Sequence, residues 1–178
     1  LQQGIEVLDI GCGAGRALLR LAEEFPRSRF TGKDLCEEAI TMARCDGEQR
    51  RLTNVSFEVG DVSRMEDRET YDLITAFDAI HDQADPAGVL RAIHGALRLD
   101  GLFLMQDIDS SSELHKNREH PLGTFLYTIS CMHCMTVSLA QGGAGLGTCW
   151  GVELAQRMLA EAGFSQVELY RLPHDLFN

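Results

Sequence analysis

Residues 7–15 read VLDIGCGAG, an apolar run that carries one carboxylate, Asp9, and then breaks into glycine at alternate positions, Gly11, Gly13 and Gly15. An apolar run closed by glycines reads as a buried strand entering a tight turn. Ahead of a helix, such a turn strips away side chains so that backbone amides can approach a ligand at the helix N-terminus. Two kinds of ligand use that geometry. A dinucleotide fingerprint needs G-x-G-x-x-G, but counting from Gly11 puts Arg16 in the place of its last glycine, with Gly15 one position early. Asp9 would also repel a diphosphate, whereas it can attract a ligand ammonium group directly or through water. The turn therefore fits an amino-acid-like ligand better than a pyrophosphate. The plain alternative is a strand-to-helix turn whose glycines serve packing alone.

Outward from this turn, short β-rich runs alternate with helical patterns along most of the 178 residues. That rhythm predicts an α/β fold, a doubly wound and mostly parallel sheet with flanking helices. Strands are expected near 5–10, 28–33, 54–59, 71–76, 101–107 and 166–171, and helices near 14–25, 36–50, 86–98 and 151–162. Pro26 follows the first helix, Asp85-Pro86 opens the third and Gly163 closes the last. Residues 109–150 break the rhythm, passing from a polar stretch through an apolar one to the glycine tract 141–147. We expect one domain spanning 1–178, with 109–150 as an insertion that governs specificity.

Length and a 44% apolar composition allow one substantial core. The formal charge of −11, with no basic block, argues against nucleic acid as a partner. The six cysteines follow no paired spacing and no signal peptide precedes them, which leads to the expectation of a reducing, cytoplasmic location. Leu1 in place of methionine, with a strand starting a few residues later, leads to the expectation of an excised piece of a longer polypeptide, cut short at both ends.

With VLDIGCGAG the chain resembles the class I S-adenosylmethionine-dependent methyltransferases. The likeness continues in FTGKDL at 30–35, where Asp34 matches the family's ribose-binding acid at the end of strand two. It continues in FEVGDV at 57–62, where Gly60, Asp61 and Val62 match the segment that meets the adenine. YDLITAF at 71–77 resembles the fourth motif, ending in Phe77. The resemblance implies S-adenosyl-L-methionine as cofactor, held by Asp9, Gly11, Cys12, Gly13, Asp34, Leu35, Gly60, Asp61, Val62 and Phe77. It also implies a small-molecule methyl acceptor. Lys33 is unusual beside Asp34, and its role stays open.

The loop DAIHDQADP at 78–86 follows the fourth strand. Its His81-Asp82 pair resembles the general base of plant-type small-molecule O-methyltransferases, which makes His81 the candidate catalytic residue and oxygen the preferred acceptor atom. The other reading of His81 is a pocket-lining imidazole. Residues 124–140 carry no formal charge with neutral His, but are short and rich in hydroxyls, so a buried or lid helix is expected and no membrane span. Cys131 and Cys134 should share a helix face with His133 turned away, and without a second ligand cluster no metal is expected. The glycine tract reads as a flexible connector or hinge.

The stretch from His120 to Met135, the glycine tract and LPHDLFN at 172–178 resemble a little-characterised branch of the family that carries an N-terminal winged-helix-like domain. In that family a final antiparallel strand would pair with 166–171, so that segment is expected to face an edge problem. Two rival functions stay open: a non-catalytic S-adenosylmethionine-binding module and a nicotinamide-dependent oxidoreductase. Homo-oligomerisation is left open as well.

Overall fold

A computed structural model describes residues 1–172 and 174–178. Pro173, within the 172–178 stretch that carries part of the branch resemblance, lies outside the described residues. The chain divides into two compact units, one formed by residues 1–77 and 92–105, the other by 78–91 and 106–178.

The first unit contains a five-stranded sheet in the order β3-β2-β1-β4-β5, with β1 Glu6–Ile10, β2 Arg29–Asp34, β3 Val55–Val59, β4 Tyr71–Phe77 and β5 Leu97–Gln106, whose last residue enters the second unit. β1 runs parallel to both β2 and β4, and β2 runs parallel to β3. The chain thus winds outward from β1 in both directions, which opens a crevice at the carboxyl ends of β1 and β4. Helices α1 (Arg16–Glu24) and α2 (Glu37–Gln49) follow β1 and β2. Leu18, Leu19 and Ala22 of α1 and Ile40 and Ala43 of α2 bury one stripe each, packing with Val7, Phe30 and Phe57 of the sheet.

Gly15 shows why the third glycine stands where it does. Its φ of 71° is left-handed, and a Cβ there would sit 2.4 Å from the Phe57 ring. It lets α1 start against the sheet, a packing need rather than a phosphate contact.

The second unit holds the loop after β4, the first part of α3 (Pro86–Ala96), and α6 (Val152–Ala162), capped by the left-handed Gly163. Its insertion is helical from 123 to 140: α4 (Gly123–Ile129), a π-wound turn over Ser130–Cys134, then α5 (Met135–Ala140). Gly123, Leu126, Ser130, Cys134 and Ser138 form its buried stripe, while Cys131 and His133 are exposed. This corrects the expectation that Cys131 and Cys134 share a face. Wider π winding breaks the three-residue relation an α-helix would impose.

The glycine tract is pinned rather than slack. Ala144 N–H donates to the Ala84 carbonyl at 3.0 Å, Gly145 N–H to Ser138 Oγ at 3.0 Å and Thr148 N–H to Ser130 Oγ at 3.1 Å. A Cβ on Gly143 would lie 2.4 Å from the Ala84 Cα, so here glycine supplies close approach and not hinge freedom.

Two expected boundaries move. β5 begins at Leu97 rather than 101, and α3 ends at Ala96. Residues 166–171 form no strand, although Val167 and Leu169 alternate as a strand would. A strand is defined by its ladder, no neighbour pairs with this segment among the described residues, and Val167 and Leu169 stay exposed.

Candidate functional site

Within the first unit, the expected cofactor residues come together at the carboxyl ends of β1 to β4. Gly11 and Gly13 both adopt left-handed φ, 65° and 53°, and turn the chain immediately after β1. The turn is tied to the end of β2: Gly11 N–H donates to the Lys33 carbonyl at 2.9 Å, and Gly13 N–H donates to Asp34 Oδ2 at 2.8 Å. Asp34 Oδ1 accepts from Cys36 N–H at 2.9 Å, so two backbone amides orient the carboxylate while each oxygen keeps acceptor capacity. Gly60 N–H donates to the Asp34 carbonyl at 3.0 Å and brings in the end of β3.

Asp9 is almost wholly buried, and its Oδ1 accepts from Thr75 Oγ1 at 2.6 Å. Burial first, with the charge of Asp34 adding to it against the lowering effect of the Thr75 hydroxyl, pushes the Asp9 carboxyl up to about 6. A cation placed there would relieve this. A Cβ on Gly13 or Gly60 would meet nothing within 4 Å, and Leu35 beside Asp34 is exposed. Free space, an exposed apolar side chain and carboxylates with unused capacity are what a polar nucleoside with an amino-acid tail requires. Cys12 Sγ fits beside Gly32, whose missing Cβ would otherwise lie 2.7 Å from it, and burial pushes the thiol up to about 12, so Cys12 is no nucleophile.

Asp61 does a second job. Its Oδ1 accepts from Ser63 N–H at 2.9 Å and Ser63 Oγ at 2.6 Å, capping the short 3-10 turn Val62–Arg64, while Val62 is buried. Phe77 ends β4, half-buried. Lys33 reaches Asp67 at 3.1 Å and Glu58 at 3.6 Å, so it serves a partly buried ion-pair cluster and no ribose.

The second unit holds His81, 3% exposed. Its Nδ1 lies 2.7 Å from Asp107 Oδ1, and its Nε2 lies 3.4 Å from Asp82 Oδ1. Asp107 at the end of β5 is therefore the hydrogen-bonding partner, not the adjacent Asp82. Burial alone would lower the imidazole, but the hydrogen bond and charge of Asp107, with Asp82 and Asp78, outweigh it and hold His81 above its ordinary value. Asp78, with a left-handed φ of 51°, is pushed up to about 6 by burial and by Asp107. Asp107 and Asp78 escaped the sequence reading. The signal for Asp107 was its place just beyond the carboxyl end of a strand in a doubly wound sheet.

A family model described as a methyltransferase domain matches residues 1–163. The chain belongs to this methyltransferase domain family. Among curated relatives, a malonyl-[acyl-carrier protein] O-methyltransferase from Porphyromonas gingivalis is 38% identical over 98 residues, covering 55% of this chain and 36% of its own length. An (S)-coclaurine N-methyltransferase from Papaver somniferum is 29% identical over 108 residues, covering 61% of this chain and 31% of its own. This methyltransferase-family chain thus spans well under half the length of these relatives. Among solved structures, a coclaurine N-methyltransferase bound to N-methylheliamine and SAH superposes with a TM-score of 0.55, at 28% identity over 59% of this chain and 31% of that one. The phosphoethanolamine N-methyltransferase 2 of Haemonchus contortus, in complex with S-adenosyl-L-methionine, shares the fold at a TM-score of 0.69 and 19% identity over 92% of this chain and 34% of that one. Among the described residues, no helix is long and apolar enough to cross a membrane.

Proposed function

We propose that this chain binds S-adenosyl-L-methionine at the carboxyl ends of β1 to β4 and, in the whole protein, transfers its methyl group to an oxygen of a small molecule. The observation that carries this is the Asp34 carboxylate, held by the Gly13 and Cys36 amides beside a glycine turn open to a ligand. In this reading Asp34 accepts the ribose hydroxyls, Asp9 answers the amino group of the methionine moiety, and Asp61 and Val62 meet the adenine. Leu35, Cys12 and Phe77 supply apolar walls, and Gly11, Gly13 and Gly60 leave room for the ligand.

The cofactor, when bound, supplies an electrophilic methyl on a sulfonium. The chain's own task is to hold an acceptor in line with it and remove the acceptor's proton. Asp107 accepts from Nδ1–H of His81, which fixes the neutral tautomer and leaves the Nε2 lone pair to take that proton. Relatives that act on oxygen include the malonyl-[acyl-carrier protein] enzyme and a ubiquinone biosynthesis O-methyltransferase from Neisseria meningitidis. All six cysteines are free, in keeping with a cytoplasmic setting. The stretch 120–135 and the glycine tract support membership of the branch with a winged-helix-like N-terminal domain.

Isothermal calorimetry with S-adenosyl-L-methionine and with its demethylated product tests the reading. Binding of both in the micromolar range is expected. Heat from neither, with folded protein, would overturn it.

A further inference from the structure

Beside His81 Nε2, the second unit gathers donors that the methyl-transfer reading leaves unused. One donor atom from each of His81, Asp82 and Cys134 lies within 4.8 Å of the others. Both His81 and Cys134 are buried. Because Nδ1 is committed to Asp107, the ring's other nitrogen points a lone pair at a carboxylate and a sulfur. Asp82 Oδ1 and Asp107 Oδ2 are both buried and accept no hydrogen bond among the described residues. Buried acceptors facing one another in this way require a proton or a cation between them.

We infer that His81 Nε2, Asp82 and Cys134 form a binding site for a borderline-soft divalent cation, best matched by Zn2+. Imidazole, carboxylate and thiolate are the donor types that zinc takes, and three protein ligands leave its fourth position open. Tetrahedral zinc spaces such donors by roughly 3.5 Å, so the set closes by about an ångström when loaded. Two outer contacts are already in place. Asp107 on Nδ1 makes the carboxylate–histidine pair that orients metal-bound imidazoles, and Thr148 Oγ1 donates to Cys134 Sγ at 3.2 Å, as a ligating sulfur would accept. On loading, the Cys134 thiol gives its proton to the buffer and the metal takes its place. One consequence rests on the methyl-transfer reading: a metal on Nε2 occupies the atom that accepts the substrate's proton, so the loaded protein lacks its base.

Chelator-stripped protein, kept reduced with a phosphine, is titrated with zinc chloride by calorimetry and with cobalt(II) by absorption, without cofactor or acceptor. A single equivalent should bind, releasing a proton and giving a thiolate-to-cobalt charge-transfer band. Cys134→Ser should abolish the band and weaken zinc at least about tenfold, Asp107→Asn should weaken it about 10- to 100-fold, and Cys131→Ser, at an exposed position, should change neither. No zinc uptake, a band that survives in C134S, or equal affinity in C134S and wild type overturns the site. Should C134S not fold, Asp82→Asn at its partly exposed position takes its place: zinc should bind at least about tenfold more weakly, and affinity equal to wild type overturns the site. The methyl-transfer reading stands or falls separately, on cofactor binding by the metal-free protein.

Discussion

His81 and Asp107, 26 residues apart in sequence, share a 2.7 Å contact between imidazole Nδ1 and carboxylate Oδ1. A neutral histidine so held carries its proton on Nδ1 and offers a lone pair on Nε2. Nitrogen-15 spectra of metal-free protein should show that tautomer, and Asp107→Asn should disperse the population between tautomers. An unchanged spectrum would remove the orienting role. With an acceptor in hand, His81→Ala should slow turnover about 100-fold while cofactor affinity stays within about twofold. An unimpaired rate would demote His81 to lining the pocket.

Asp34 predicts a loss of binding. Replacing it with Ala removes the acceptor for two hydroxyl bonds to a charged group and frees the Gly13 amide, so cofactor affinity should fall by about 10- to 100-fold in calorimetry. Affinity equal to wild type would remove the ribose assignment.

Asp9 couples stability to pH. Its folded carboxyl, at about 6, lies above the ordinary 3.8, so the folded state holds the proton more tightly than the unfolded chain. The contribution is greatest below about 3.8, declines as pH rises toward 6, and is a constant penalty of up to about 3 kcal/mol above that. Asp9→Asn keeps an acceptor for Thr75 and escapes the penalty. In urea unfolding of cofactor-free protein it should gain about 2 kcal/mol at pH 7.5 and almost nothing at pH 4. The same variant should bind the cofactor more weakly. A stability difference independent of pH would refute this.

Gly15→Ala joins a left-handed φ with a Cβ pressed into the Phe57 ring. A loss of about 2–4 kcal/mol is expected, partly recovered by Phe57→Leu in the double variant. Additive losses would show that the ring contact is not the cause.

Lys33→Met breaks contacts to Asp67 and Glu58. Stability should fall by about 1 kcal/mol with cofactor affinity unchanged, since the ammonium faces the ion-pair cluster. A marked loss of affinity would return Lys33 to the ribose.

The sheet was legible because each strand from β1 to β4 is bounded by turn residues and buries its apolar run, and each main helix by a cap or proline. The cofactor-side acids were legible because each follows a strand end. What the sequence left hidden depends on distance or on winding. The pairing of His81 with Asp107 needs the end of β5 beside the loop after β4, which Asp78 N–H secures by donating to the Gln106 carbonyl at 3.0 Å. Local reading favoured the adjacent Asp82 instead. Residues 166–171 show how alternation alone misleads, since Val167 and Leu169 carry the period of a strand without a ladder to join. The face of Cys134 was hidden because nothing in the SCMHC pentapeptide announces a π turn.

That widened turn makes the identity of the buried stripe a matter of residue count. Deleting one residue from 130–134 would restore ordinary winding and swing everything after it by about 100° around the axis. Cys134 and Ser138 would then leave the interior together, although neither had been altered. Insertions and deletions in this helix should thus be far more damaging than most of its substitutions.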